Sequence, residues 1–141
     1  MSRISTRDAG EPSRLLRTYV VEDNQVIFDN LVATLEEMTP VRVVGHAADE
    51  STALAQLAER CGELDLVIVD VFLKAGSGLG VLRGALQCGL PAPRVVLTNC
   101  ASDDMRAQCK ALGADRVFDK SNDLDELLAF CCGLAQRGAE R

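Results

Sequence analysis

Five side chains able to do phosphate or metal chemistry stand at the ends of short apolar runs in this 141-residue chain. Three are acids, one is a hydroxyl and one is an amine: Glu22, Asp23, Asp70, Thr98 and Lys120. Each alone has an ordinary explanation, because acids cap helices, threonine favours strands and lysine is usually a solvated surface charge. Their shared position suggests that they act together.

The charge balance of these residues indicates a metal site. Glu22, Asp23 and Asp70 together carry a charge of −3, which is repulsive unless protons or a cation intervene. Lys120 contributes +1 and a divalent ion would contribute +2, so the sum would be zero. Oxygen-only ligands suit Mg²⁺, which one or two carboxylates hold together with waters and a phosphate. We therefore predict Mg²⁺ as the cofactor.

Short apolar runs rich in β-branched residues alternate with helical patterns along the chain. The runs do not alternate with polar residues, which is typical of strands covered on both faces. They occupy residues 18–21, 41–46, 64–70, 94–99 and 116–119. Apolar residues at spacings of three and four predict helices over 25–39 and 50–61, and three more around Leu79–Leu86, Met105–Leu112 and Leu124–Leu134.

Residues with cap preferences mark several of these helix ends. Asp49, Ser102 and Asp123 are predicted N-caps, and Glu126 follows Asp123 at the spacing of a capping box. Glycines that follow two helices, Gly62 and Gly113, are predicted to adopt the left-handed conformation that often ends a helix.

Five repeats of strand then helix predict an α/β fold. Such a chain forms a doubly wound parallel sheet with right-handed crossovers, and the flavodoxin-like (βα)5 arrangement with strand order 2-1-3-4-5 is the natural solution. Ligands of these sheets bind beyond the carboxyl ends of the strands, where the strand order reverses. We therefore expect the three acids, Thr98 and Lys120 to meet at this edge.

Composition excludes several other classes of protein. The net charge of −6 argues against direct nucleic-acid binding, and 4% aromatic residues with no Trp argue against a base-stacking surface. Six cysteines without a CxxC pair, beside the single His46, do not match zinc spacing, and we interpret them as cytoplasmic thiols. No apolar run approaches the roughly 20 residues that span a membrane.

Four motifs in order resemble the receiver domains of bacterial two-component response regulators, including the stand-alone chemotaxis type. They are VVEDN at 20–24, LVIVDVFLKAGSGLGVL at 66–82, VVLTN at 95–99 and GADRVFDK at 113–120. Gly78 also lies eight residues after Asp70, where the family keeps a glycine. The resemblance covers residues 17–136, and we predict that residues 1–16 form a flexible N-terminal extension and residues 137–141 a C-terminal tail.

The resemblance implies a role for each residue of the set. Asp70 would accept the phosphoryl group, Thr98 would hydrogen-bond it and report its arrival, and Lys120 would pair with one of its oxygens. Mg²⁺ would be held directly by Asp23 and Asp70, through water by Glu22, and by the backbone carbonyl of Phe72. The donor would be a sensor histidine kinase or a histidine phosphotransfer protein.

The same resemblance implies a signalling protein and not an enzyme with a separate substrate. Beyond phosphorylating and dephosphorylating itself, it would act by contact with a downstream protein, since no output domain follows the fifth helix. We expect a monomer or weak dimer in the cytoplasm. Four positions depart from the commonest family pattern, so the family's usual rates and switching details are not carried over to this chain: Glu22, Asn99, Val117 and Ser121.

Two other functions remain open at this point. A degenerate receiver would keep the fold and bind partners without phosphorylation, although here every acid, hydroxyl and amine position is filled. A flavin-binding electron carrier would share the fold. Its first loop should contain small hydroxyl and glycine residues, whereas this chain has EDNQ at 22–25.

Overall fold

The computed structural model describes residues 15–139 and contains one five-stranded parallel sheet. The strands are β1 (Leu16–Val21), β2 (Val41–Ala47), β3 (Leu66–Val69), β4 (Arg94–Thr98) and β5 (Arg116–Asp119). The helices are α1 (Gln25–Met38), α2 (Glu50–Glu59), α3 (Gly78–Gln87), α4 (Asp103–Ala111) and α5 (Leu124–Ala139). The strand order β2-β1-β3-β4-β5 confirms the predicted flavodoxin-like topology.

The described ends of the domain differ slightly from the predicted boundaries. Leu16 already belongs to β1 and pairs with Val41 of β2, and α5 continues to Ala139. Most of the predicted N-terminal extension lies outside the described residues, as do the last two residues of the predicted tail.

Apolar layers cover both faces of the sheet. Val67 and Val69 of β3 face the layer formed with α2, α3 and α4, whereas Leu66 and Ile68 face the layer formed with α1 and α5. All four side chains are buried, which confirms that a continuous apolar run here marks a strand covered on both sides. Successive residues of one strand point to opposite layers, so each strand end has a defined orientation.

Capping residues determine where several helices begin and end. Asp49 accepts a hydrogen bond from Thr52 N and Ser102 from Met105 N, as predicted. Gly113 follows α4 with φ of 97°, but the prediction for Gly62 is wrong. The chain leaves α2 through a tight turn instead, in which Glu63 N donates to the carbonyl of Arg60 at 2.9 Å.

All six cysteines are free thiols. Cys131 and Cys132 are consecutive residues of α5, and burial raises the pKa of Cys131 to about 12. A thiol with a raised pKa is a poor nucleophile, because the thiolate is the reactive form. Cys131 is therefore part of the packing of α5 against the sheet.

Candidate functional site: an acidic pocket at the strand ends

The predicted site residues lie at one edge of the sheet. Glu22 and Asp70 directly follow β1 and β3, Thr98 is the last residue of β4, and Lys120 directly follows β5. Backbone hydrogen bonds continue the strand pairing here, since Asp70 N donates to the carbonyl of Val21 at 2.9 Å. Because β1 lies between β2 and β3, this edge includes the point where the strand order reverses.

Three carboxylates meet in this pocket. One oxygen from each of Glu22, Asp23 and Asp70 lies within 4.8 Å of the other two. Glu22 and Asp70 are buried, with 3% and 7% of their surfaces exposed, so water screens their repulsion poorly. A compact set of oxygen ligands with excess negative charge is the donor set that Mg²⁺ prefers. The residues present therefore fit a magnesium ion.

Lys120 pairs with two of these acids. Its Nζ donates to Glu22 Oε1 at 2.7 Å and to Asp70 Oδ2 at 2.9 Å. Burial by itself would lower the pKa of Lys120, but the hydrogen bonds and charges of Glu22 and Asp70 outweigh it and raise the pKa above its ordinary value. Lys120 is therefore positively charged at neutral pH and neutralises part of the pocket.

The loop between β3 and α3, residues 71–77, runs along the acids. Lys74 N donates to Asp23 Oδ2 at 2.6 Å, and Phe72 N approaches Asp70 Oδ1 at 3.3 Å. Gly78 ends the loop so close to the strand that a Cβ there would lie 2.2 Å from the carbonyl oxygen of Asp70. The position of Phe72 two residues after Asp70 keeps its backbone beside the pocket, while its side chain is 54% exposed.

Thr98 is fully buried at the end of β4. Its hydroxyl accepts a weak hydrogen bond from Cys100 N at 3.4 Å, in the loop that leads to α4. Its backbone carbonyl accepts from Lys120 N at 2.9 Å. Thr98 is thus connected both to the lysine of the pocket and to the approach to α4.

His46 supports the pocket, which the sequence did not reveal. Its Nε2 donates to the carbonyl oxygen of Glu22 at 2.8 Å, and its ring stacks on Phe28 with centroids 3.7 Å apart. His46 pairs with Val20 across β1 and β2, so the register of these strands brings it beside Glu22. A strand register of this kind cannot be read from one chain segment.

Replacing Lys120 by Met should destabilise the metal-free protein. The change leaves buried Glu22 and Asp70 without their cation, and breaking a buried ion pair typically costs about 3 kcal/mol. We expect the free energy of unfolding in urea to fall by about that amount without Mg²⁺, and Mg²⁺ to restore part of it.

Lys110→Met provides the matched control for this experiment, because Lys110 is exposed on α4. It should change the free energy of unfolding little, since surface substitutions are usually close to neutral. An equal loss in both variants would show that the lysine side chains, and not the buried charge pair, determine the effect.

The fold and this site define a flavodoxin-like α/β domain with an acidic pocket that fits a divalent metal ion. Residues 18–131 match the family model of the response regulator receiver domain. The chain therefore belongs to the response regulator receiver family, as its motifs predicted. Receiver domains of this family are two-component signalling modules, typically with a phosphorylated aspartate and Mg²⁺.

Curated relatives support the same family. A probable transcriptional regulatory protein of Picosynechococcus sp. is 36% identical over 137 residues, which are 94% of this chain and 53% of that protein. Response regulator protein PmrA of Pseudomonas aeruginosa is 32% identical over 130 residues, 89% of this chain and 55% of that protein. The chain therefore spans about half the length of the curated relatives it matches.

Solved structures support the fold. The receiver domain of the response regulator NarL from Mycobacterium tuberculosis superposes with a TM-score of 0.77 at 20% identity, covering 87% of this chain and 98% of that one. The BeF3-activated N-terminal receiver domain of RstA from Klebsiella pneumoniae superposes with a TM-score of 0.70 at 25% identity, covering 81% and 93%. Among residues 15–139, no helix combines the length and apolar character that a membrane crossing requires.

Proposed function

We propose that the protein receives a phosphoryl group on Asp70, with Mg²⁺, and signals by contact with another protein. The observation that carries the proposal is the position of Asp70, whose Oδ2 lies 2.9 Å from Lys120 Nζ in a pocket shared with Glu22 and Asp23. In this proposal Asp70 is the acceptor, Lys120 is the positive side chain beside it, and Glu22 and Asp23 are the metal-binding acids at the same edge of the sheet.

Each residue has a defined part in the transfer. A carboxylate is normally ionised at neutral pH, so Asp70 needs no base to attack phosphorus. Phosphoryl transfer spreads negative charge over the equatorial oxygens, and Lys120 can pair with one of them because it already contacts Asp70. Mg²⁺, held directly by Asp23, Asp70 and the Phe72 carbonyl and through water by Glu22, would supply further positive charge.

The donor in this proposal is a sensor histidine kinase or a histidine phosphotransfer protein. The receiver family interacts with histidine kinases and downstream effectors. The Picosynechococcus relative carries the name of a transcriptional regulator, but the part described here is an acidic receiver fold. We therefore propose a protein target for it, and no direct contact with nucleic acid or membrane.

Acetyl phosphate and Mg²⁺ provide the direct test. Intact-mass measurement should show one added phosphoryl group, and mild base should remove it, as expected of an acyl phosphate. Without Mg²⁺ the addition should be much slower, because the metal ion then no longer neutralises charge on the transferred group. A chain that stays unmodified would instead be a degenerate receiver that binds partners without phosphorylation.

In this proposal, phosphorylation of Asp70 changes the structure at Thr98 and α4. Val117, three residues before Lys120, has a stiff β-branched side chain, and Phe118 is buried on the opposite face against α1 and α5. Neither can act as a mobile aromatic ring on the α4 face. Thr98 and the following loop, residues 99–102, are therefore expected to shift α4 as a unit.

Arg106 of α4 forms hydrogen bonds that a shift of α4 would have to break. Its guanidinium donates to the carbonyl of Ala101 at 3.0 Å, to the carbonyl of Val117 at 2.7 Å and to Asp123 Oδ2 at 3.3 Å. It thereby ties α4 to the loop before it, to β5 and to the residue before α5. A shift of α4 large enough to break these contacts would provide the difference in contacts between two states that a switch requires.

Beryllofluoride, a phosphoryl mimic, should reveal this switch by NMR. With Mg²⁺, chemical-shift changes should cluster at residues 98–112 and around Lys120. Thr98→Ala should blunt them while Asp70 can still be phosphorylated, because the acceptor and its acids are untouched. A response centred on Phe118, with α4 unchanged, would show that the mechanism is wrong.

A further inference from the structure

Glu50, the first residue of α2, reaches across to the loop between β3 and α3. Its Oε1 accepts a hydrogen bond from Ser77 N at 2.9 Å, and its own backbone N donates to the carbonyl of Ala75 at 3.2 Å. Glu50 therefore contacts the loop of residues 71–77 twice, through its side chain at Ser77 and through its backbone at Ala75. None of the roles assigned above to the acidic pocket uses Glu50.

Two glycines leave the space that the Glu50 side chain fills. A Cβ at Gly80 would lie 2.2 Å from Glu50 Oε2, and a Cβ at Gly76 would lie 2.4 Å from Glu50 Cβ. Gly76 also has φ of 84°, a conformation that other residues rarely adopt. The carboxylate is therefore fitted against the loop and the first turn of α3.

The electrostatics of this contact are favourable. Ser77 is the N-cap of α3, and its hydroxyl accepts from Leu79 N at 3.0 Å. A carboxylate at a helix N-terminus is stabilised by the helix dipole and by free backbone N–H groups. Glu50 supplies this negative charge from another helix, and so joins the start of α2 to the start of α3.

Residues 71–77 connect Ser77 to the acidic pocket. Ser77 forms an isolated antiparallel bridge with Phe72, whose carbonyl is a proposed Mg²⁺ ligand. Between them, Lys74 N donates to Asp23 Oδ2 at 2.6 Å. Asp23 thus holds the loop beside the acids, and Glu50 holds it on the side of α2.

We propose that Glu50 is a positioning residue that sets the Mg²⁺ affinity of the pocket by fixing residues 71–77. It does not touch the ion, and it acts through Ser77 and the paired backbone of Phe72. The inference rests on the proposed function, in that Mg²⁺ binds among Glu22, Asp23 and Asp70. Partners of metal ligands commonly change affinity by about tenfold or more when they are removed.

Two substitutions at Glu50 separate the hydrogen bond from the charge. Glu50→Gln loses the negative charge, but its amide oxygen can still accept from Ser77 N. Glu50→Ala loses both. Mg²⁺ titration followed by NMR should show a Kd raised about tenfold in Glu50→Ala and within about twofold of wild type in Glu50→Gln. Glu59→Ala, an exposed glutamate near the other end of α2, is the control and should leave the Kd unchanged.

Gly80→Ala tests the same contact from the opposite side. Its methyl group would displace the Glu50 carboxylate, so the variant should also raise the Mg²⁺ Kd. In Glu50→Ala there is no carboxylate to displace, so adding Gly80→Ala should cause little further change. Additive effects of the two substitutions would contradict the proposed contact.

Amide exchange in the metal-free protein distinguishes this inference from the proposed function. Exchange at residues 74–77 should be faster in Glu50→Ala than in wild type or Glu50→Gln. If wild type binds no Mg²⁺, the proposed function fails, and the exchange data still decide whether Glu50 holds the loop. If wild type binds Mg²⁺ and Glu50→Ala keeps the same Kd, with lower thermal stability alone, Glu50 is structural and the inference is overturned.

Discussion

Asp70→Asn is expected to abolish phosphoryl acceptance. The amide oxygen of Asn is a poor nucleophile, and loss of the nucleophile typically costs on the order of 10³-fold or more in rate. The fold should persist, because Asn can still accept a hydrogen bond from Lys120 in place of Asp70 Oδ2. Intact-mass measurement with acetyl phosphate and Mg²⁺ should find no added group under conditions that fully modify wild type.

Asp104→Asn provides the control for this substitution. Asp104 is an exposed aspartate in the first turn of α4, so the same chemical change there should leave phosphorylation at the wild-type rate. If Asp70→Asn accepts phosphate as fast as Asp104→Asn, another residue is the acceptor and the assignment of Asp70 is wrong.

Mg²⁺ is expected to raise the melting temperature of the protein strongly. A ligand that binds only the folded state at 100 times its Kd adds about 2.7 kcal/mol to the free energy of unfolding. For a domain of this size that corresponds to a rise of roughly 10 °C. The effect arises because the ion relieves repulsion among Glu22, Asp23 and Asp70, whose charge Lys120 neutralises only in part.

Asp23→Asn should remove most of this response. Its amide oxygen can still accept from Lys74 N, so the loop contact is retained while the charge is lost. Asp29→Asn, an exposed change on α1, should keep the full Mg²⁺ effect. A wild-type melting temperature that does not depend on Mg²⁺ would contradict the metal site.

The strand ends show how far the sequence determines the site. Continuous apolar runs identify strands covered on both faces, and alternation of strands with helices requires a parallel sheet. In such a sheet all carboxyl ends meet at one edge. That rule predicts that Glu22, Asp70 and Lys120 meet, and the Lys120 ammonium group contacts both carboxylates.

A glycine that follows a helix was a less reliable signal, because more than one kind of turn can end a helix. Gly62 and Gly89 both follow helices, yet only Gly89 has positive φ, of 71°. After α2 the chain closes a tight turn from Arg60 to Glu63, which requires no left-handed residue. Which turn forms depends on where the next strand must begin, and this is a property of the packed fold.

The sequence by itself determined the topology, the edge that carries the chemistry and the identity of the charged groups, because these follow from hydrophobic pattern and residue type. Only the tertiary structure decided which groups pair. Lys120 meets Glu22 across 98 residues, His46 supports Glu22 through strand register, and Glu50 holds Ser77 through the packing of two helices. These contacts depend on strand register and on side-chain length, which no local pattern in the chain encodes.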